Sequence, residues 1–270
     1  MKTPWILTAA LFLAACRSGG MADVAVNPDT HAPEQGSGLT SQQLVHAKKF
    51  MAASANPLAT EAGYEVLKQG GSAIDAMIAM QTTLSLVEPQ SSGLGGGAFL
   101  VYWDNQAKKL TTFDARETAP KAATPALFLD KAGKPLEFMQ AVVGGRSVGT
   151  PGVPKLMEDV HKRYGKLPWA GLFDYPVRLA EQGFAVSPRM AASIAQNEQY
   201  LRRYPATAAY FLPQGRPLAA GAVLKNPEFA RSVRLLARSG SAPFYHGAPA
   251  QKMVKTVAAA ADNPGRLAID

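Results

Sequence analysis

Apolar side chains first form one block, at residues 6–13, and then thin out until Leu44, where a regular pattern begins. Residues 50–54 read as a short strand leading into a capped helix. Asn56 is a good N-cap, Pro57 suits the first helical position, and Gly70-Gly71 closes the helix. Leu58, Ala62 and Val66 share one face of it. Ser72, with Asp75 three residues later, has the form of a capping box opening a second helix over residues 73–87. Ile74, Met77, Ile78, Leu84 and Leu86 run nearly all round that helix, which predicts burial, and Glu88-Pro89 stops it. Two apolar runs, 98–103 and 110–113, flank a turn at Asp104-Asn105 and predict an antiparallel hairpin. Beyond it the pattern turns mostly helical. Ser187-Pro188 and Asn226-Pro227 repeat the cap-then-proline start, and Gly165, Gly183 and Gly240 fall where helices should end. This order predicts an α+β fold rather than a doubly wound parallel sheet.

The block at residues 6–13 follows a positive Met1-Lys2 and is too short to span a bilayer, so it reads as a secretory signal. Leu13-Ala14-Ala15-Cys16 closes it and resembles the bacterial lipobox, in which the cysteine is acylated and anchors the mature chain through two or more acyl groups. A plain signal peptide that happens to hold a cysteine is the alternative. Cys16 is the only cysteine, so no disulfide can form within the chain. Arg17 rather than Asp follows it, which for a lipoprotein points to the outer membrane. Residues 16–40, rich in Gly, Ser, Pro, Asn and Asp, read as a flexible tether. The expected organisation is a signal peptide over 1–15, a tether over 16–40 and a domain over 41–270, lipid-anchored in a bacterial envelope and facing the periplasm.

With 270 residues, 47% of them hydrophobic, the chain can bury a sizeable core. Its formal charge of +8 is spread along the sequence, with no basic block interleaved with aromatics, so nucleic acid is not an expected partner.

The densest local signal is Gly93-Leu94-Gly95-Gly96-Gly97. Glycines so close together let another segment or a ligand approach the main chain. A strand rather than a helix follows and no Gly-Lys-Ser/Thr is present, so this is neither a phosphate loop nor a dinucleotide fingerprint. Gly145-Arg146-Ser147-Val148-Gly149 matches the nucleophile elbow of α/β-hydrolases, for which Asp174 and His246 are downstream candidate partners. Pro151 and Pro154 prevent the helix that an elbow requires straight after its serine. His31, His46, His161 and His246 are scattered without paired metal-ligand spacing, so no metal is expected. In Asp114-Ala115-Arg116-Glu117, Arg116 lies just past a strand end, where a guanidinium can grip a carboxylate through two parallel hydrogen bonds. An ion pair of Arg116 with Asp114 or Glu117 is the alternative.

Several segments in order resemble one family. They are Asn56-Pro57-Leu58-Ala59-Thr60-Glu61-Ala62-Gly63, Gly70-Gly71-Ser72-Ala73-Ile74-Asp75-Ala76 and Glu88-Pro89-Gln90-Ser91-Ser92-Gly93-Leu94-Gly95-Gly96-Gly97. Asp114 to Pro120, Ser147-Val148-Gly149-Thr150-Pro151-Gly152, Leu179-Ala180-Glu181-Gln182-Gly183-Phe184 and Phe244-Tyr245-His246-Gly247 continue the series. Together they are similar to the large subunit of the γ-glutamyltransferase (glutathione hydrolase) family. The resemblance implies an N-terminal-nucleophile (Ntn) hydrolase with part of an αββα layered core and a helical large-subunit region. In that family a precursor cuts itself, and the freed threonine of a small subunit attacks a γ-glutamyl amide such as that of glutathione. No metal or organic cofactor is implied. Arg116 matches the arginine that binds the glutamyl α-carboxylate, and Ser147 falls in a structural loop. The sequence ends at Asp270 without a Thr-Thr-His processing site. The resemblance therefore implies an incomplete large-subunit domain that needs a small subunit for activity and is inactive alone. A non-catalytic truncated envelope lipoprotein and a related β-lactam side-chain acylase are the other readings.

Overall fold

In a computed structural model, residues 43–269 are described. The signal sequence, Cys16 and the tether lie outside them. Asn56 accepts from the Leu58 N–H and opens α1, Pro57–Lys68. Ser72 and Asp75 form the reciprocal capping box of α2, Ala73–Val87. Asp75 is fully buried and does more than cap. Its Oδ2 also accepts from the Lys166 and Leu167 N–H groups, so it ties the start of α2 to a loop over ninety residues away. The hairpin follows as β1, Ala98–Asp104, and β2, Lys109–Ala115, paired antiparallel with Leu100 opposite Phe113 and Trp103 opposite Leu110.

Two expectations are corrected. Residues 50–54 join no strand among the described residues, because no neighbouring strand offers their backbone a ladder. The stretch after the hairpin is not helical at first. Residues 116–152 hold only the short α3, Phe138–Val142, and Gly145 alone is buried between 116 and 150. Prolines at 120, 125 and 135 and glycines at 133, 144 and 145 interrupt any repeat that could bury a face.

Helices dominate from there on. They are α4 (Val153–Tyr164), α5 (Asp174–Gln182), α6 (Pro188–Gln196), α7 (Glu198–Leu201), α8 (Pro205–Phe211), α9 (Pro227–Ser239), α10 (Pro243–His246) and α11 (Ala248–Ala258). A 3-10 turn, Trp169–Phe173, precedes α5, and β3 (Phe184–Ala185) pairs with β4 (Val223–Leu224). Ser187 and Asn226 cap α6 and α9 as the sequence predicts, and Gly165, Gly183 and Gly240 end α4, α5 and α9. The core forms around α2. Ile74, Ile78, Leu86 and Val87 are buried together with Met157 and Val160 of α4, Phe173, and Val233 and Leu236 of α9. The outward face of the hairpin is different: Phe99, Val101, Trp103 and Leu110 are each more than half exposed.

Glu158 of α4 binds the chain just after α9. It accepts from Lys162 Nζ at 2.6 Å, from the Ser241 N–H at 2.8 Å and from the Ser241 hydroxyl. Burial disfavours its charged form, but these donors outweigh burial and hold its carboxyl at about 2. A carboxylate whose folded value lies below its unfolded value stabilises fully above the unfolded value, near 4.5. That contribution is lost as pH falls from about 4.5 towards 2. Partial solvent contact limits it to about 1–2 kcal/mol. Urea unfolding of Glu158→Gln should therefore show a loss of that size at pH 7, shrinking towards pH 2.

Candidate functional site

The end of β2 runs into a turn made by Asp114, whose Oδ1 accepts from the Arg116 N–H at 2.9 Å. Two other segments close on residues 115–118. On one side is the glycine loop. A Cβ at Gly97 would lie 2.6 Å from the Glu117 nitrogen and 2.8 Å from the Ala115 carbonyl oxygen, so no side chain fits there. On the other side, Thr150 N–H donates to the Thr118 carbonyl at 2.9 Å, and a Cβ at Gly152 would overlap the Ala115 carbonyl. The two flanking segments also hold each other. The Gly96 carbonyl accepts from the Gly152 and Val153 N–H groups at 2.9 and 3.1 Å, which satisfies the first donors of α4. Tyr245 completes the arrangement, its hydroxyl donating to the Pro151 carbonyl at 2.7 Å and accepting from the Lys155 N–H at 3.2 Å.

Arg116 emerges from this clamp with its side chain 72% exposed. Its nearest acid is Glu117, with Nε and Oε2 3.8 Å apart, too long for a hydrogen bond. The clamp fixes its backbone and leaves the guanidinium open to a ligand. Beside it is a depression of about 430 Å³ lined by Arg116, Thr118, Lys155, Asp159, Arg163 and Tyr245, among others. Lys155 is paired with Asp159, and the Arg163 guanidinium lies over the Phe113 ring at 5.6 Å. The lining therefore carries two arginine guanidiniums, groups suited to a carboxylate.

Behind the glycine loop, Glu88 is 2% exposed and fully engaged. Its Oε1 accepts from Asn56 Nδ2 at 2.9 Å, and its Oε2 accepts from Gln90 Nε2 and from Arg189 Nη1, the latter at 2.6 Å. Arg189 Nη2 reaches Ser91 Oγ at 3.1 Å, and the Glu88 carbonyl accepts from the Ser91 and Ser92 N–H groups. The entrance to the loop is thus bound to both α1 and α6. An acidic residue ending an apolar helix a few positions before a glycine cluster was the available sequence signal, but Arg189 as its partner, 101 positions on, left none.

Ser147 does not behave as a nucleophile. Its hydroxyl donates to the Val142 carbonyl at 2.6 Å, and no strand-turn-helix surrounds it. The His161 ring nitrogen Nε2 lies 2.9 Å from the Leu167 carbonyl, a packing role. Among the described residues no three His, Cys, Asp or Glu side chains group as metal ligands.

The family model for gamma-glutamyltranspeptidase matches residues 59–268. The chain belongs to that family. The region matched is that of the family's large subunit. It is 39% identical over 216 residues to the glutathione hydrolase proenzyme of Bacillus subtilis (strain 168), covering 80% of this chain and 37% of that protein. The chain therefore spans a little over a third of the length of that relative. The gamma-glutamyltranspeptidase of Helicobacter pylori has a similar structure, with a TM-score of 0.78 and 30% identity over 83% of this chain and 63% of that one. Cephalosporin acylase from Bacillus halodurans is also similar, at TM-score 0.67 and 29% identity, covering 83% of this chain and 42% of that one. These relatives agree with an α+β family fold.

The clamp can be tested by glycine substitution. Gly152→Ala should lower stability by about 3 kcal/mol or prevent folding, because the new methyl meets a fixed carbonyl. Gly95→Ala, in the same glycine cluster but with nothing within 4 Å of its added methyl, should change stability by less than about 0.5 kcal/mol. Denaturant midpoints of the two variants measure the difference.

Proposed function

We propose that residues 41–270 are the large-subunit portion of an enzyme that transfers or hydrolyses γ-glutamyl groups, with glutathione among its donors. Arg116 grips the donor's α-carboxylate. The observation that carries this reading is the clamp: two segments pack against the backbone on either side of one exposed arginine whose head pairs only loosely with its neighbour. A rigid base and a free guanidinium favour bidentate carboxylate binding. The threonine nucleophile, on this reading, is supplied by a small subunit outside residues 1–270, and those residues are inactive alone. It attacks the γ-carbonyl of the donor bound at Arg116, and water or an amino acid then releases the acyl group. The outward hairpin face is where the rest of an Ntn-type layered core docks, since it is apolar and more than half exposed.

A second reading, a β-lactam side-chain acylase, is supported by the likeness to cephalosporin acylase. A glutaryl group carries the same terminal carboxylate as a γ-glutamyl group and lacks only the α-ammonium, so Arg116 serves both. The chain assembled with a small subunit should cleave γ-glutamyl-p-nitroanilide faster than glutaryl-p-nitroanilide; the reverse order would establish the acylase, and cleavage of neither a non-catalytic protein. In the same assembly Arg116→Lys should raise KM for the γ-glutamyl donor about 10- to 100-fold, the loss of one charged hydrogen bond, with a smaller change in kcat. Unchanged kinetics with lowered stability would show Arg116 to be a structural ion pair instead.

We further propose that Cys16 is acylated and holds the protein to a bacterial envelope membrane, facing the periplasm at the outer membrane. The support is the sequence Leu13-Ala14-Ala15-Cys16 after a short apolar run. Labelled palmitate should enter the protein in a bacterial host and be lost in Cys16→Ser; equal labelling of both would refute the anchor.

A further inference from the structure

The clamp fixes the backbone of Arg116 but not the side-chain torsions beyond it. A long side chain that turns freely loses that freedom on binding, which weakens the complex. Two acids stand close in sequence. Asp114 turns its Oδ1 to the Arg116 backbone N–H and so serves the root of the side chain. Glu117 is the acid at the head.

Three glycines line the Glu117 side chain from root to tip. A Cβ at Gly149 would stand 3.0 Å from the Glu117 Cβ, one at Gly97 2.6 Å from its Oε2, and one at Gly96 3.5 Å from its Oε1. A side chain at Gly97 or Gly149 would push the glutamate off this course. The cradle brings Oε2 to 3.8 Å from Arg116 Nε. The glutamate side chain is 38% exposed and the arginine 72%, so the carboxylate is the better held of the two. Nε lies at the inner end of the guanidinium. Neither Nη1 nor Nη2 makes a hydrogen bond among the described residues, and together they form the outer fork that a ligand carboxylate can take end-on.

We propose that Glu117 is a positioning residue for Arg116. Its carboxylate, seated in the three-glycine cradle, draws the Nε side of the guanidinium inward and turns Nη1 and Nη2 towards the donor carboxylate. The identity of that donor rests on the γ-glutamyl reading; the ordering of the arginine does not. A carboxylate that merely competed with an anionic ligand would have the opposite effect on KM, so the sign of that change separates the two roles.

Glu117→Gln keeps the size of the side chain in the cradle and removes its charge. In the full chain, NMR relaxation of the Arg116 Nε–H signal, identified by its loss in Arg116→Lys, should show restricted motion. Glu117→Gln should release it. A signal that is mobile from the start, or that Glu117→Gln leaves unchanged, would overturn the proposal. In the assembly with a small subunit, Glu117→Gln should raise KM for γ-glutamyl-p-nitroanilide about two- to fivefold, the effect of one exposed ion pair, with little change in kcat. In the Arg116→Lys background it should have no further effect, because the two residues act as one unit. An unchanged or lowered KM, or the same rise in the Arg116→Lys background, would overturn the proposal as well. If Arg116→Lys itself leaves KM unchanged, the γ-glutamyl reading fails, and the NMR result still decides whether Glu117 orders the arginine.

Discussion

The approach of Gly152 to the Ala115 carbonyl leaves no room for a side chain, and much of the candidate site follows from it. With a Cβ at that position the start of α4 would be forced away from the end of β2. The Gly96 carbonyl would then lose the Gly152 and Val153 N–H groups, and the glycine loop would lose its far anchor. Residues 115–118 are held by backbone contacts on both sides rather than by side chains packed over them. That is why Arg116 can be fixed at its root and open at its head. Rigidity and exposure are usually in conflict at a surface, and close backbone packing reconciles them here.

Local signals in the sequence were easy to read because each belongs to one turn of chain. Asn56-Pro57, Ser72 with Asp75, Ser187-Pro188 and Asn226-Pro227 carry their helix starts within four residues, and the structure places each where the pattern does. The hairpin was legible for the same reason. What failed depended on distant partners. Residues 50–54 form a short, mostly apolar run ahead of a helix cap, but strand formation needs a neighbouring ladder, which no local pattern reports. Residues 116–152 have enough apolar positions to imitate helical spacing, yet prolines and glycines deny them a continuous face. In the site, Arg116 could be singled out by its position after a strand. The residues around it come from separate elements: Lys155, Asp159 and Arg163 from α4, and Tyr245 from beyond α9. Only folding brings them together.

The hairpin shows the same dependence in reverse. Its inner residues, Leu100 and Phe113, pack towards the core as alternation requires. Its outer residues, Phe99, Val101, Trp103 and Leu110, are just as apolar and remain open. A strand buried on one face alternates between apolar and polar positions, whereas one buried on both faces is apolar throughout. While β2 turns Thr112 and Asp114 outward, β1, with Ala98 to Trp103 apolar on both faces, has the composition of the second kind. It agrees with a family whose relatives are much longer than the region matched here.

The Glu88–Arg189 pair has a further consequence for the medium in which the protein works. Dissolved salt weakens charge pairs in contact with water and reaches buried ones far less. The exposed pairs, such as Lys155 with Asp159 and Arg202 with Glu198, belong to the first class. Glu88 is 2% exposed and its partner Arg189 31%, so this pair lies nearer the second class than those do. The surface can therefore lose its electrostatic ties in concentrated salt while the entrance to the glycine loop keeps its own. Ionic strength is then a variable that acts more on how a charged ligand approaches Arg116 than on the frame that presents it.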